Sequence, residues 1–403
     1  MINVVPEMYN RGVKYLARED HKKALSFFKR QVDPFKENYL NMGSCYDKLN
    51  NDVKALECFM KAADHHVRFA NGTVGPYAEA LNNIGLICYT RECDLLAIDY
   101  YTAAVDAKPD YYSARWHRSL SELRRYVSGW SDVNVDRAII DYDLRFYVAS
   151  RPTEVDGSLP RWDGVTCGGV VVVTAEQGLG DNFQWLRYIR LLESKFDKVW
   201  VQMPTTLRGL HKHLNCVNMV QETDATVSIP LCSLTRYFGI DTIDCNYLTP
   251  PAAHDFNFSG LKIGIVGVGS TTHNNNYRRS CGLSYFLGLV GPAVRLYNLT
   301  PNSRDVKGII NLNPKTWSCT ASYLMGLDLV ITVDTSVVHL AGVLGVKCWV
   351  LMPLQESDWR WGDSSCGDNN VWYPTVKVIR NPNSWDVVFR NVKDRLNDFN
   401  CKS

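Results

Sequence analysis

Several features that would assign this 403-residue sequence to a familiar class are missing. Its 13 cysteines include no Cys-x-x-Cys pair, and the closest two are Cys88 and Cys93. Zinc-ribbon spacing is therefore absent, and scattered thiols indicate a reducing compartment. No apolar run approaches the roughly 20 residues of a membrane-spanning helix. The first residues also lack the basic and then apolar segments of a signal peptide. We therefore expect a cytoplasmic protein without a membrane span.

An excess of charge of one sign is missing as well. Lysine and arginine number 44 against 42 acidic residues, so the formal net charge is +2. Such a balance gives no bulk attraction to nucleic acid or to an acidic membrane surface. What is present is ordinary globular sequence, 46% hydrophobic and 21% charged. The length favours two or three domains.

The first third of the chain repeats itself in three segments, 9–34, 39–64 and 80–109. Each segment has a glycine, then an alanine, then an aromatic residue, in register. The glycines are Gly12, Gly43 and Gly85, the alanines Ala24, Ala55 and Ala97, and the aromatics Phe28, Phe59 and Tyr101. The pattern resembles the tetratricopeptide repeat, a pair of packed helices of about 34 residues. An insertion at 65–77 is predicted to be a loop, and 113–147 a degenerate fourth repeat that caps the array.

The remainder of the chain changes character after a linker at 151–164 that is rich in proline, glycine and aspartate. Eight short apolar runs alternate with helical stretches, which is typical of parallel sheets with crossover helices. The predicted fold is α plus α/β: tetratricopeptide-like helices over 1–150, then Rossmann-like domains over 165–255 and 256–403, the last with a closing helix. Two such domains facing across a cleft form the GT-B glycosyltransferase architecture.

The stretch that follows the first apolar run carries an acid, Asp181. Val170–Val173 are predicted to be a buried strand and Asn182–Leu192 a helix, with Gly178 and Gly180 allowing a tight turn between them. Ligands of open parallel sheets bind at the carboxyl ends of strands, so this turn should face the cleft. Asp181 either caps the helix or acts as a general base, and the residues alone leave both open.

A resemblance to a known family favours the second role. "AEQGLGDNFQWLRYIRLL" (175–192), "PRWDG" (160–164), "DLVITVDTSVVHLAGVLGVKCWVLMP" (328–353) and the region 358–381 are similar to bacterial tetratricopeptide-repeat glycosyltransferases related to the heptosyltransferases. The resemblance spans the repeats and the α/β region. It implies transfer of a sugar from a nucleotide-sugar donor, with Asp181 as the base and Gln177, Gly178, Gly180 and His273 on the acceptor side of the cleft.

A second turn, "VDTSVVHLAG" (333–342), joins a strand to a helix. Hydroxyls and free amides of Thr335 and Ser336 at a helix start can hold a diphosphate. His339 lies one turn further on the same face, and Asp334 could accept a bond from a ribose or sugar hydroxyl. The resemblance implies donor binding here. The alternative is that Asp334 caps the helix and His339 is a satisfied core residue.

A third loop, "GVGSTTHNNNYRRS" (267–280), has clustered glycines, but their spacing is not that of a dinucleotide fingerprint. By resemblance, Arg279 and Ser280 occupy donor-binding positions. Asn274 stands where the family usually has lysine, and Gly267 where it usually has tryptophan. Arg278 could replace the missing lysine. The alternative is a solvated basic loop.

Four aromatic residues near the C-terminus either line the donor pocket or pack the core, and packing is the commoner use. They are Trp359, Trp361, Trp372 and Tyr373, and the adjacent Asp358 and Arg360 could pair with each other.

The function expected from all of this is an inverting sugar transfer to an acceptor hydroxyl. No Asp-x-Asp motif occurs among the cleft residues, so no metal or other cofactor is expected beyond the nucleotide sugar.

Two alternatives to this function stay open. One is the same chemistry on hydroxymethylated DNA bases by a viral enzyme in the host cytoplasm, suggested by the basic and aromatic stretches 115–126 and 276–280. The other is a non-catalytic repeat scaffold with a degenerate GT-B region. The repeats could bind a protein partner or self-associate.

Overall fold

A computed structural model of the chain describes residues 7–65, 67–68, 74–148, 159–211, 214–217, 223–241, 247–270, 276–353, 357–381 and 384–400. The chain divides into two compact units. The first comprises Met1–Tyr126 and Ser131–Ser150, and the second Val127–Trp130 and Arg151–Ser403. Residues 151–158 of the predicted linker lie outside the described residues.

The first unit consists of paired helices. Its helices are α1 Glu7–Leu16, α2 His21–Phe28, α3 Lys36–Lys48, α4 Asp52–Ala63, α5 Ala78–Thr90, α6 Asp94–Ala107, α7 Tyr112–Val127, α8 Val135–Tyr142 and α9 Arg145–Val148. The three predicted repeats are the pairs α1–α2, α3–α4 and α5–α6. The turns inside these pairs contain Glu19, Asn50 and Glu92, each with a φ near +60°. The three turns therefore repeat in the same register as the sequence motif.

The repeated glycine and aromatic residue pack against each other in every pair. A Cβ on Gly12 would lie 2.4 Å from a ring carbon of Phe28, and one on Gly43 would lie 2.5 Å from Phe59. The same hypothetical atom on Gly85 would lie 2.6 Å from the ring of Tyr101. The glycine is thus required by close approach of the second helix. This packing explains why the two residue types recur together.

The insertion at 65–77 was predicted to be a loop, and this prediction is wrong in part. Two short strands, β1 Val67–Arg68 and β2 Val74–Gly75, pair in an antiparallel fashion. Residues 66 and 69–73 lie outside the described residues. A two-residue ladder is too short to leave a periodic signal in the sequence.

The second unit contains two parallel sheets. The four-stranded sheet has the order β5-β4-β3-β6, and its elements are β3 Val170–Thr174, α10 Leu179–Trp185, α11 Ile189–Glu193, β4 Lys198–Gln202, β5 Asn215–Val217, β6 Val227–Pro230 and α12 Thr235–Phe238. The eight apolar runs of the sequence all contribute strands to the two sheets. The first helix differs from its prediction. It begins at Leu179 and ends at Trp185, a 3₁₀ turn follows, and Gly180 lies inside the helix.

The six-stranded sheet has the order β12-β11-β10-β7-β8-β9. Its elements are β7 Leu261–Val266, α13 Asn276–Arg279, β8 Val294–Asn298, β9 Ile309–Asn311, α14 Trp317–Gly326, β10 Leu329–Val333, α15 Ser336–Val343, β11 Cys348–Pro353, β12 Val376–Asn381 and α16 Trp385–Asn400. In order along the chain this is the 3-2-1-4-5-6 arrangement of the Rossmann fold. The strand order reverses between β7 and β10, and a ligand is expected at the carboxyl ends of those strands.

Candidate functional site

The two acidic turns predicted from the sequence lie against each other. One follows β3 and starts α10, and the other follows β10 and starts α15. A Cβ on Gly180 would lie 2.8 Å from Cδ2 of His339 and 3.5 Å from Cα of Ser336. The absence of a side chain at Gly180 therefore lets the first turns of the two helices touch.

The carboxylate of Asp181 accepts two hydrogen bonds, one from the backbone just before its own helix and one from a side chain distant in the sequence. Its Oδ2 accepts the backbone N–H of Gly178 at 2.8 Å, so the carboxylate caps its own helix. Its Oδ1 accepts a bond from the guanidinium of Arg360. Burial raises the pKa of Asp181, and the cation of Arg360 opposes that rise. The sequence suggested that Arg360 would pair with Asp358, which it does at 2.7 Å. Its pairing with Asp181 could not be inferred from the sequence.

Gln177, in the loop before α10, has a backbone φ of +60°. This left-handed conformation costs a residue with a side chain about 1–3 kcal/mol, and such strain tends to cluster at functional sites. Its side-chain Nε2 lies 3.8 Å from Sγ of Cys232, and the Cys232 N–H bonds to Glu176. The loop is thus tied to the segment after β6.

Asp334 sits at the end of β10 and is partly buried. The indole Nε1 of Trp361 donates to its Oδ1 at 3.2 Å. Burial and the nearby carboxylate of Asp358 raise the pKa of Asp334 to about 6, although Arg279 and Arg360 act in the opposite direction. The N-cap of α15 is Thr335, so the alternative that Asp334 caps this helix is wrong.

His339 is buried, with 7% of its surface exposed. Burial, followed by the cations of Arg360 and Arg187, lowers its pKa to about 3. Its Nδ1 lies 3.0 Å from the hydroxyl of Tyr373, and its ring centroid lies 5.4 Å from that of Trp361. The imidazole therefore packs between α15 and the aromatic residues that follow β11.

Removal of the Tyr373 hydroxyl should destabilise this arrangement. Tyr373→Phe deprives the buried Nδ1 of His339 of a hydrogen-bond partner, and we expect a loss of about 1–3 kcal/mol in unfolding free energy. Chemical denaturation measures it. Tyr285→Phe is the matched control, because that ring stacks on Phe389 with no hydroxyl bond among the described residues. A loss equal to that of the control would contradict the assigned role of the hydroxyl.

The aromatic residues near the C-terminus form a packed layer. Trp359, Trp361, Trp372 and Tyr373 are each 4% exposed or less. Trp372 packs edge-on against Trp185 with ring centroids 5.3 Å apart. This layer contacts α10 through Trp185 and the turn after β10 through Asp334.

The loop after β7 is closed by Ser280, which accepts the N–H of Gly269 at 3.1 Å. A Cβ on Gly269 would lie 2.8 Å from Nε of Arg279, so the guanidinium packs against the loop backbone. Nε of Arg279 is buried and has no hydrogen-bond partner among the described residues. A Cβ on Gly267 would lie 2.7 Å from the carbonyl oxygen of Cys281, which leaves no room for a side chain as large as tryptophan. His273, Asn274 and Asn275 lie outside the described residues, as does the side chain of Arg278.

A cavity of about 500 Å³ opens beside these turns, at the carboxyl ends of β7, β8 and β10. Of the sequence-predicted site residues, Thr335 and Ser336 line it. The others do not: Asp181, Gln177, Gly178, Gly180, Asp334, His339, Arg279 and Ser280. The lining residues that the sequence did not point to include several polar ones: Thr205, Thr206, Ser270, Thr300, Lys315, Thr316, Ser318 and Thr320. "NPKT" (313–316) carried a usable signal, because a threonine before an apolar helical stretch is typical of an N-cap.

Part of the cavity wall carries positive charge or partial positive charge. The N-terminal turns of α14 and α15 both line it, and helix N-termini carry partial positive charge. Thr316 caps α14 by accepting the N–H of Cys319 at 3.1 Å, whereas no described side chain caps α15. Lys315 is exposed and forms no ion pair among the described residues. No carboxylate or histidine is among the described lining residues.

Metal ligands are not gathered anywhere in the described part of the chain: no three histidine, cysteine, aspartate or glutamate side chains come together there. Nor is any described helix both long and apolar enough to cross a membrane. The expectation that no metal is required stays a prediction.

No protein-family model matches the chain. No curated protein sequence matches it. Among solved structures, a mutant of the O-GlcNAc transferase of Thermobaculum terrenum matches 96% of this chain and 88% of its own, with 13% identity and a TM-score of 0.32. MamA matches 35% of this chain and 70% of its own, with 18% identity and a TM-score of 0.27. YrrB, a TPR protein with an unusual peptide-binding site, matches 35% of this chain and 66% of its own, with 16% identity and a TM-score of 0.26.

At TM-scores of this size the likenesses say nothing about activity. The helix pairs and strand orders themselves establish the fold, and they confirm tetratricopeptide-like repeats followed by two Rossmann-like parallel sheets. The relation to the heptosyltransferases stays a prediction.

Proposed function

We propose that the protein is a glycosyltransferase that binds a nucleotide-diphosphate sugar in the cavity at the ends of β7, β8 and β10. The observation that carries this proposal is the composition of the cavity. It lies where the strand order reverses, its lining is rich in hydroxyls, and it holds a lysine but no described carboxylate. Its volume of about 500 Å³ falls within the usual range of small-molecule sites, about 300–1,000 Å³.

The diphosphate is assigned to the positive side of the cavity. The uncapped amides at the start of α15, with the hydroxyls of Thr335 and Ser336, face it from one side. Lys315 and the start of α14 face it from another. Fixed donors of this kind stabilise charge that develops on a leaving diphosphate, without need of a metal.

The acceptor is assigned to the side of the four-stranded sheet, which contributes Thr205, Thr206 and Gly209 to the cavity wall. Asp181 lies in the first turn of α10, which follows β3 of this sheet. It is the proposed base that takes the proton from the acceptor hydroxyl. Attack on the sugar carbon then releases the nucleoside diphosphate. Inversion at that carbon is expected from the family resemblance.

Neutralising Lys315 should weaken donor binding. We expect Lys315→Gln to lower the affinity for a nucleoside diphosphate by about tenfold, since a charge-assisted hydrogen bond contributes about 1.5–3 kcal/mol. Thermal shift against a panel of nucleoside diphosphates and nucleotide sugars measures this. A ligand at one hundred times its dissociation constant adds about 2.7 kcal/mol of stability.

Lys307→Gln is the matched control, because Lys307 is exposed on the same domain and does not line the cavity. The proposal would be overturned if no nucleotide stabilised the wild-type protein at millimolar concentration. That result would favour a non-catalytic repeat scaffold. Equal affinity of both lysine variants would remove Lys315 from the site.

The alternative of DNA as acceptor loses part of its basis. The arginines of the stretch 115–126 are engaged with acids of their own unit, in the pairs Arg115–Asp141, Arg118–Asp141, Arg124–Asp94 and Arg125–Asp132. Arginines held in such pairs are poorly placed to contact phosphates. Only the stretch 276–280 still supports this acceptor.

A further inference from the structure

One short segment contacts both acidic turns. This segment, Asp358–Trp361, is named here the bridging turn. Arg360 donates to the carboxylate of Asp181 after β3, and Trp361 donates to Asp334 after β10. The acids of the acceptor and donor sides are therefore positioned by neighbouring residues of one turn.

The bridging turn is itself fixed by hydrogen bonds. Asp358 Oδ1 accepts the N–H of Arg360 at 3.0 Å, and the Arg360 carbonyl accepts the indole N–H of Trp372 at 2.7 Å. The carbonyl of Trp361 accepts a bond from Arg380. A turn held in this way can aim its side chains at fixed positions.

The guanidinium of Arg360 is enclosed as well as paired. Its side chain is 8% exposed, and its central carbon lies 5.5 Å from the ring centroids of Trp185 and Trp359. Asp181 is 14% exposed. In such a site a carboxylate without a cation would favour its neutral form, because burial disfavours charge.

We propose that Arg360 is a positioning residue, which fixes the Asp181 carboxylate as an anion between the two sheets. Among the described residues, the groups that act on the Asp181 carboxyl are the cation of Arg360, the N–H of Gly178 and the acids Asp358 and Glu176. With two acids nearby, Arg360 is the charge that opposes neutralisation of Asp181. The catalytic consequence rests on the proposed function, whereas the ion pair can be tested without any donor.

The first test is a double-mutant cycle in stability at two pH values. The melting temperature is measured for wild type, Arg360→Met, Asp181→Asn and the double variant at about pH 5 and about pH 8. Arg360→Met should lose several degrees more at the higher pH, where Asp181 would have to ionise without its cation. Asp181→Asn in the same background should abolish that pH dependence.

A purely structural role gives a different result. If Arg360 only fills space among the indoles, the loss on Arg360→Met is the same at both pH values and Asp181→Asn does not change it. That outcome overturns the proposal. Arg395→Met is the matched control, since Arg395 pairs with Asp368 while 36% exposed on the same unit. If Arg360→Met does not fold, the cycle is run with Arg360→Gln.

The second test uses turnover and the conservative variant. In Arg360→Met the acidic limb of the pH profile of kcat/KM should shift to higher pH by about one to three pH units. Arg360→Lys keeps the cation but loses the planar fork, so it should lower kcat with little movement of that limb. An unmoved limb in Arg360→Met contradicts the proposal.

The experiments distinguish failure of the proposed function from failure of the proposed role of Arg360. If no nucleotide sugar is a donor, the stability cycle still decides the role of Arg360. If transfer occurs but the cycle shows no coupling, the proposed function stands and Arg360 loses this role.

Discussion

Asp334→Asn is expected to increase the free energy of unfolding by about 2 kcal/mol at pH 8 and to leave it nearly unchanged at pH 4. The folded-state pKa of Asp334 is raised from 3.8 to about 6 by burial and by Asp358. The folded protein therefore binds the proton more tightly than the unfolded chain. The stability gained from that proton is complete below pH 3.8 and is lost as the pH rises through about 6. The full shift is discounted here because Asp334 is partly exposed.

Asparagine avoids the cost of an ionised carboxylate. Its side-chain oxygen can still accept the indole N–H of Trp361, so the packing of the turn is preserved. The advantage of the variant should grow between about pH 4 and pH 6 and then level off. Urea denaturation at several pH values measures the difference between the two proteins.

Asp394→Asn controls for loss of a charge, because Asp394 is exposed on α16, and it should change stability by less than about 0.5 kcal/mol. A difference between Asp334→Asn and wild type that is flat with pH would show that Asp334 is not neutralised in the folded state. Destabilisation at pH 8 would show that its charge supports the fold.

Gly180→Ala should destabilise the second unit by about 1–3 kcal/mol, in the range of overpacked cores. The new Cβ would lie 2.8 Å from Cδ2 of His339 and 3.5 Å from the backbone of Ser336. His339 is buried and its ring is packed against Trp361, so it cannot move away freely. The first turns of α10 and α15 must then separate. Since Ser336 lines the cavity, nucleotide-induced stabilisation should also fall.

The comparison for this variant is Gly288→Ala, where a Cβ meets nothing within 4 Å. Differential scanning calorimetry of both variants gives the difference. If His339 is the obstacle, His339→Ala combined with Gly180→Ala should cost less than the sum of the two changes. Additive losses would mean that the contact between the helices does not limit the packing.

Two strands, β5 and β12, were not predicted from the sequence. β5 has three residues and β12 alternates in burial, and both lie at sheet edges, so neither stands out as an apolar run. The first helix of the four-stranded sheet was predicted from Asn182, yet it begins at Leu179. Two glycines suggested a turn, but Gly180 serves close helix packing instead. One-dimensional sequence cannot distinguish those two uses of glycine.

The sequence by itself determined the repeats and the α/β region, because these depend on local spacing. Gly12 and Phe28 recur at fixed offsets, and each buried apolar run is long enough to identify a strand. It also placed Thr335 and Ser336 at a helix start. Only the tertiary structure decided that Arg360 pairs with Asp181, which lies 179 residues away in the chain. It also brought Lys315 and Thr205 to one cavity, because pairing and cavity shape depend on how distant strands are ordered in a sheet.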